Sequence, residues 1–301
     1  CMITLHYSDE VAAALQRNAP IVALESTIIT HGMPFPQNLE TARLVEDEVR
    51  KSGAIPATIA VLYGQLHIGL SDDELTDLAQ AKNVSKLSRA DLAACIAKGE
   101  TGATTVAATM IAAKAAGIHV FATGGIGGVH SGAEDSFDIS ADLQELAQTD
   151  VIVVAAGAKA ILDLPKTWEV LETLGVPVIA FGQDQLPAFW SATSPHPAPI
   201  RLDSGAEIAD AAKLRKALGV PGGHLVCNPI PAHAEILEDA IGPIISKALS
   251  EAETSNIQGK AVTPFLLQRI FELTDGKSLE ANIQLVLNNA RLASQIAIEM
   301  G

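Results

Sequence analysis

Six short apolar runs, spaced along most of the chain and separated by longer amphipathic stretches, constrain the fold more than any other feature of the sequence. They cover residues 21–24, 59–62, 118–121, 151–155, 178–181 and 225–227. Runs this short and this uniformly apolar read as strands buried on both faces, the pattern of a mostly parallel sheet. Between them Leu39, Ala42, Val45 and Val49 recur at helical spacing, so helices are expected on both faces of the sheet. The expected class is α/β, a three-layer α/β/α arrangement around a central mostly parallel (mixed) sheet. No interdomain linker, internal repeat or low-complexity tract interrupts the pattern, so residues 1–301 read as a single domain. Hydrophobic residues make up 48% of the chain and aromatics only 4%, which leaves the core to Ala, Val, Ile and Leu packed between close elements.

From about residue 232 onward the pattern is nearly all helical. Leu279, Ile283, Val286, Ala290 and Ala297 form a stripe able to pack on the sheet or on a neighbouring subunit. The Pro-rich residues 187–199 are the longest irregular stretch, and such loops are often substrate lids.

A formal net charge of −15, from 35 Asp plus Glu against 20 Lys plus Arg, disfavours a nucleic-acid polymer as ligand. A small anion remains compatible, because a helix N-terminus with one or two lysines makes a local positive site. Cys1, Cys95 and Cys227 are too sparse for a disulfide framework or a thiolate zinc site. With no leader pattern and no long apolar span, the chain reads as cytoplasmic.

The first chemical candidate lies in AAGAKAILD, residues 155–163, where Lys159 is expected in the opening of a helix just beyond a strand's carboxyl end. Ligands of open α/β sheets bind at such ends. Apolar neighbours and the positive end of a helix dipole would both disfavour the charged ammonium, as a nucleophilic amine requires. On spacing alone, a lysine snorkelling from a first helical turn is the commoner use of this pattern. Glu25, in ALESTIITHGMPF at residues 23–35, also follows a strand and has Ser26, Thr27, Thr30 and His31 nearby. It suits a general acid, although a salt-bridged structural glutamate fits the same pattern.

The acidic turn EDSFDISADL, residues 134–143, offers Asp138 and Asp142 as oxygen ligands for Mg²⁺ or Mn²⁺. It also offers Ser140 as the N-cap of a helix starting near Asp142, the commoner use of such residues. TGGIGGVH, residues 123–130, is not a dinucleotide-binding turn, because His130 stands where the third small residue belongs. Its glycines suit close approach of a small ligand or tight turns. TGATTVAATM, residues 101–110, opens a helix whose amides and hydroxyls at Thr104 and Thr105 are suited to a phosphate, with Lys86 as countercharge. The remaining histidines show no pair at zinc-ligand spacing, and there is no serine-hydrolase elbow or Walker loop.

Taken in order with NPIP at 228–231, TPFLL at 263–267, GKSLEANI at 276–283 and LNNAR at 287–291, these motifs make the whole chain resemble the pseudouridine-5'-phosphate glycosidases, the indigoidine-synthase-A-like family. The resemblance implies reversible cleavage of pseudouridine 5'-phosphate to uracil and ribose 5-phosphate in pseudouridine catabolism, by an enzyme formally classed as a lyase. Two carboxylates and a water are insufficient for a carbon–carbon glycosidic bond. The family instead opens the ribose ring, and the lysine matching Lys159 bonds to carbon 1, expels uracil and leaves a hydrolysable imine. Glu25 matches the proton donor, and Asp138 the position holding one water-rich Mn²⁺ per subunit. Lys86, Val106, Ser140, Ala141 and Asp142 match substrate-binding positions, with Thr105 a further phosphate contact. Thr123, His130 and Asn282 fall in motifs expected near ribose or uracil. The resemblance also implies a homotrimer, and a separate kinase to make the substrate, because the chain ends without a sugar-kinase domain. Ser194-Pro195 stands where relatives often have Ser-Gly, which bears on loop closure. Two rival readings are a Schiff-base lyase or aldolase on another sugar phosphate, and a non-catalytic sugar-phosphate binding protein.

Overall fold

The structure is a computed structural model and describes residues 3–301, so Cys1 lies outside the described residues. In chain order the strands are β1 (Leu5–Tyr7), β2 (Ile21–Leu24), β3 (Ile55–Leu62), β4 (Gln65–Ile68), β5 (Ser85–Leu87), β6 (Gly102–Thr104), β7 (Val120–Ala122), β8 (Ile152–Ala155), β9 (Val178–Phe181), β10 (Ile200–Leu202) and β11 (His224–Cys227). Strands β3, β2, β7, β8, β11, β9 and β10 run side by side, each parallel to the next. Each of the six apolar runs lies within a strand or overlaps one, and β2 and β9 match their runs residue for residue.

The minority antiparallel part of the sheet was not visible in the apolar pattern. The first half of β3 pairs with β2, up to Leu24 opposite Thr58. Its second half pairs antiparallel with β4 and with β6, and β1 and β5 extend those strands outward. The turn joining β3 to β4 is Tyr63-Gly64, with φ of 50° and 75°. Left-handed values at both central residues match the twist of a two-residue hairpin. A Cβ at Gly64 would also lie 2.6 Å from Gly99 Cα. Strands of three residues, such as the mixed Ser-Lys-Leu of β5, are too short to show a period.

Helices cover both faces, as expected. On one side Lys277–Met300 crosses β2, β7 and β8, flanked by Gln37–Lys51 and Gly205–Ala217. Leu279, Val286, Ala290 and Ala297 of its stripe are buried, whereas Ile283 is only partly so. On the other side Val106–Ala115 packs beside Ala141–Gln148. Its Val106, Ala107, Ala108, Met110, Ala112 and Ala113 are all buried. Small side chains let this helix sit close to the sheet.

Residues 187–199 are not an open lid. Trp190 is completely buried and Phe189 nearly so, and Ser194 Oγ donates to Leu186 O at 2.6 Å. The loop is packed down because its aromatic pair fills space between the sheet and the C-terminal helices.

Candidate active site

A cavity of about 910 Å³ opens at the carboxyl ends of the parallel strands. It forms where β2 and β3 part company. Beyond Leu24 the chain leaves β3, and β6 takes its place, so that Ser26 N donates to Thr104 O and Thr104 N to Ser26 Oγ at 2.8 Å. Thr104 is fully buried there and its hydroxyl donates to Ile59 O at 2.8 Å. Thr104 is therefore part of the wall, and the phosphate role expected of it is not open to it. Its neighbour Thr105 is the N-cap of the helix Val106–Ala115 and makes no side-chain cap bond. The Thr105 hydroxyl is buried without a hydrogen-bond partner among the described residues and borders the cavity. Lys86, on β5 opposite Ala103, reaches the same wall.

Glu25 is the first residue beyond β2, and Thr123 holds the equivalent place beyond β7, since Leu24 pairs with Ala122. The hydroxyls of Thr27 and Thr123 donate to opposite oxygens of the Glu25 carboxyl. Thr123 is itself fixed by Asn289, a fully buried residue whose Nδ2 donates to Thr123 O at 2.8 Å and whose Oδ1 accepts from Asn228 Nδ2 at 3.1 Å. Neither asparagine was a sequence candidate, although both lie in quoted motifs.

Lys159 enters from β8, two strands away from β2, a span of roughly 10 Å at the usual strand spacing. The expectation of a helical setting is overturned. Ala158 bridges to Ile126 as an extension of the sheet, Lys159 N donates to Ile126 O at 3.1 Å, and the helix starts only at Leu164. Asp163 caps that helix through Lys166 N, with Pro at its first turn. These two residues are start signals four and six positions beyond Lys159. The helix-dipole argument for Lys159 therefore falls, while the half-buried setting and the cavity position hold.

The acidic turn divides into different roles. Ser140 caps Ala141–Gln148 by accepting from Asp142 N at 3.2 Å, as expected. Asp142 is buried, and its two oxygens accept from Ala107 N at 2.9 Å and Gly127 N at 2.8 Å. Its carboxylate thus joins the helix behind Thr105 to the glycine loop. Gly127 has no room for a side chain, because a Cβ would lie 2.3 Å from Ser140 Oγ. Asp138 is half-buried on the cavity wall and its N–H donates to Ser136 Oγ, while His130 N donates to Asp138 O at 3.0 Å.

His130 feels Asp138, Lys159 and Lys86 together, which places the four in one electrostatic neighbourhood. Burial, first, and the two lysines hold its imidazole below the ordinary histidine range, against the pull of Asp138. His31 is lowered in the same direction, mainly by burial and then by Lys86. Positive charge is thus concentrated on this wall of an otherwise acidic protein. Val106, Ala141 and Asn282 also line the cavity, so every site residue expected from the sequence borders it except Thr104, buried behind it, and Thr123, which touches it through Glu25. The far wall comes from the C-terminal helices, at Thr263, Leu267, Phe271 and Leu279, together with Phe189. Thr263 and Leu267 lie in TPFLL, Leu279 in GKSLEANI and Phe189 in the Pro-rich stretch, so of these only Phe271 carried no sequence signal.

Comparison with known proteins supports this picture. The model of the indigoidine synthase A like protein family matches residues 10–299. A pseudouridine-5'-phosphate glycosidase of Jannaschia sp. (strain CCS1) is 68% identical over 295 residues, covering 98% of each chain. That of Paracoccus denitrificans (strain Pd 1222) is also 68% identical, covering 97% of each. Among solved structures, prealnumycin C-glycosynthase in complex with ribulose 5-phosphate superposes with a TM-score of 0.91 at 40% identity, over 98% of this chain and 96% of that one. An indigoidine synthase A-like protein of Thermotoga maritima reaches 0.90 at 32% identity, over 100% of this chain and 97% of that one.

Proposed function

The chain belongs to the indigoidine synthase A like family, and on that footing we propose that it is a pseudouridine-5'-phosphate glycosidase, which reversibly cleaves the carbon–carbon glycosidic bond to give uracil and ribose 5-phosphate. The observation that carries the reading is the arrival of a carboxyl group, Glu25, and an amine, Lys159, on one cavity from the ends of two strands with β7 between them. A binding protein has no need of that pair.

In the proposed reaction electrons from the uracil ring, as it gives up a ring N–H proton, break the bond between carbon 1 and the ring oxygen. The oxygen takes up a proton and carbon 1 becomes an electrophilic alkene carbon. The neutral Lys159 amine adds there while a proton returns to the uracil ring. The carbon–carbon bond then breaks, its electron pair leaves with carbon 5 of uracil, and Glu25 supplies the proton that uracil takes up. The lysine is left as an imine with the sugar, and water hydrolyses it to ribose 5-phosphate and free amine. Thr27 and Thr123 suit this cycle because a hydroxyl both donates and accepts, so each can hold the Glu25 carboxyl in either protonation state. The phosphate is placed against Lys86, the unpartnered Thr105 hydroxyl and the amide end of the helix Val106–Ala115. His130, Ser140, Ala141, Asp142 and Asn282 frame the sugar and base.

The proposal includes one Mn²⁺ per subunit at Asp138. Among the described residues no three His, Cys, Asp or Glu side chains converge as a metal cluster. A half-buried carboxylate on the cavity wall with no hydrogen bond from any described residue fits an ion held mostly by water and substrate oxygens. When bound, the ion supplies positive charge that orients the sugar phosphate. Assembly as a homotrimer and a cytoplasmic setting follow the family resemblance, and no helix of the described residues is long and apolar enough to cross a membrane. Light scattering in solution tests the trimer.

The deciding experiment incubates the protein with pseudouridine 5'-phosphate and Mn²⁺ while uracil is followed, and traps any sugar adduct by reduction before peptide mapping. Uracil release with an adduct on Lys159 is expected. No uracil, or an adduct elsewhere, sinks the proposal. Sugar-phosphate turnover without uracil would instead favour a Schiff-base lyase on another substrate.

A further inference from the structure

Trp190 is the largest of the fully buried side chains, and its indole Nε1–H donates to Asn282 Oδ1 at 2.7 Å. An indole nitrogen only donates, so the amide atom facing it must be the oxygen. The orientation of the Asn282 amide is therefore dictated by chemistry. Its Nδ2 makes no hydrogen bond to any described residue, and Asn282 borders the cavity. The indole has little freedom to release the amide. Ile236 N donates to Trp190 O at 2.8 Å, Ser191 Oγ donates to Ile236 O at 2.8 Å, and the Phe189 ring packs edge-on with centroids 5.1 Å apart.

From this geometry we propose that Trp190 is a positioning residue for base selectivity, holding Asn282 so that its amide presents N–H donors to the base. The inference rests on the reaction proposed above and adds to it the polarity of the base subsite. A base offering a ring carbonyl at that place is accepted. One offering an amino group sets donor against donor and leaves buried groups unpaired, which is the strongest form of rejection available to such a site. Uracil carries carbonyls at carbons 2 and 4, whereas cytosine has an amino group at carbon 4 and isocytosine at carbon 2.

The test measures inhibition of pseudouridine 5'-phosphate cleavage by uracil, cytosine, isocytosine and ribose 5-phosphate. Wild-type enzyme should bind uracil at least about tenfold more tightly than one of the two amino bases, the scale of one neutral hydrogen bond. Trp190→Phe removes the indole donor and should lower that ratio by about tenfold, with ribose 5-phosphate inhibition unchanged. Asn282→Asp keeps an acceptor for Trp190 but turns an acceptor toward the base, so it should reverse the preference. It alone decides the matter if Trp190→Phe fails to fold. An unchanged ratio in the folded variants, or an equal weakening of ribose 5-phosphate, overturns the role of Trp190. A wild-type protein that releases no uracil overturns the proposed reaction itself.

Discussion

Lys159 carries its amine into the cavity from an extended segment anchored by Ile126. Lys159→Ala removes the proposed nucleophile without touching that anchor. It is expected to lower turnover by at least about 10⁴-fold while leaving the fold intact, as read by uracil release and circular dichroism. Appreciable residual cleavage would contradict covalent catalysis. His224 allows a different residue-scale prediction. It is buried at the start of β11 with Nδ1 unpartnered among the described residues, and burial, aided by Arg215, holds its pKa down at about 4. The folded protein keeps this ring neutral, while the unfolded chain takes up a proton below its ordinary value near 6.5. Its stability contribution is therefore full above pH 6.5 and is lost as pH falls toward 4, by about 2 kcal/mol at pH 5. His224→Leu should flatten that part of the profile in urea unfolding at pH 7 and pH 5.

At the scale of elements, the site depends on contacts between segments distant in sequence. Asp142 is a clear case, since one carboxylate at the start of Ala141–Gln148 secures both the helix Val106–Ala115 and the glycine loop. Asp142→Ala would leave two buried amides unpaired and is expected to cost about 2–4 kcal/mol. Because the phosphate wall moves with that helix, KM for pseudouridine 5'-phosphate should rise more than kcat falls. A variant with native melting temperature and native KM would refute this linkage. The buried start of residues 187–199 acts similarly, bracing the site through Phe189 and Trp190.

Across the whole molecule, a net charge of −15 opposes an anionic substrate at long range, while Lys86 and Lys159 favour it within the cavity. The Debye length falls from about 30 Å at 0.01 M salt to about 10 Å at 0.1 M. Screening therefore removes the outer repulsion before it weakens the inner attraction. The value of kcat/KM should rise about twofold over that range and change little just beyond it. A steep fall from the lowest salt would show that the local positive charge dominates at all distances.

What could be read from residue order was whatever repeats or clusters locally. The parallel strands declared themselves because burial on both faces makes their residues uniformly apolar, as in β8 and β9. The helical stripe from Leu279 to Ala297 was legible for the same reason, apart from Ile283. Glu25, Lys159 and Thr105 could be picked out because they sit in dense motifs, whereas Lys86 sits in none and rested on the resemblance to the family. The helix start beyond Lys159 was carried locally by Asp163 and Pro165, whereas tertiary structure alone decided that Thr104 is buried behind the cavity while Thr105 borders it. It also decided the short antiparallel strands and the partners of Asn289 and Trp190. Those outcomes are set by which backbone groups remain unpaired once distant segments meet. Neighbours in sequence cannot specify that, because each such hydrogen bond joins residues far apart along the chain.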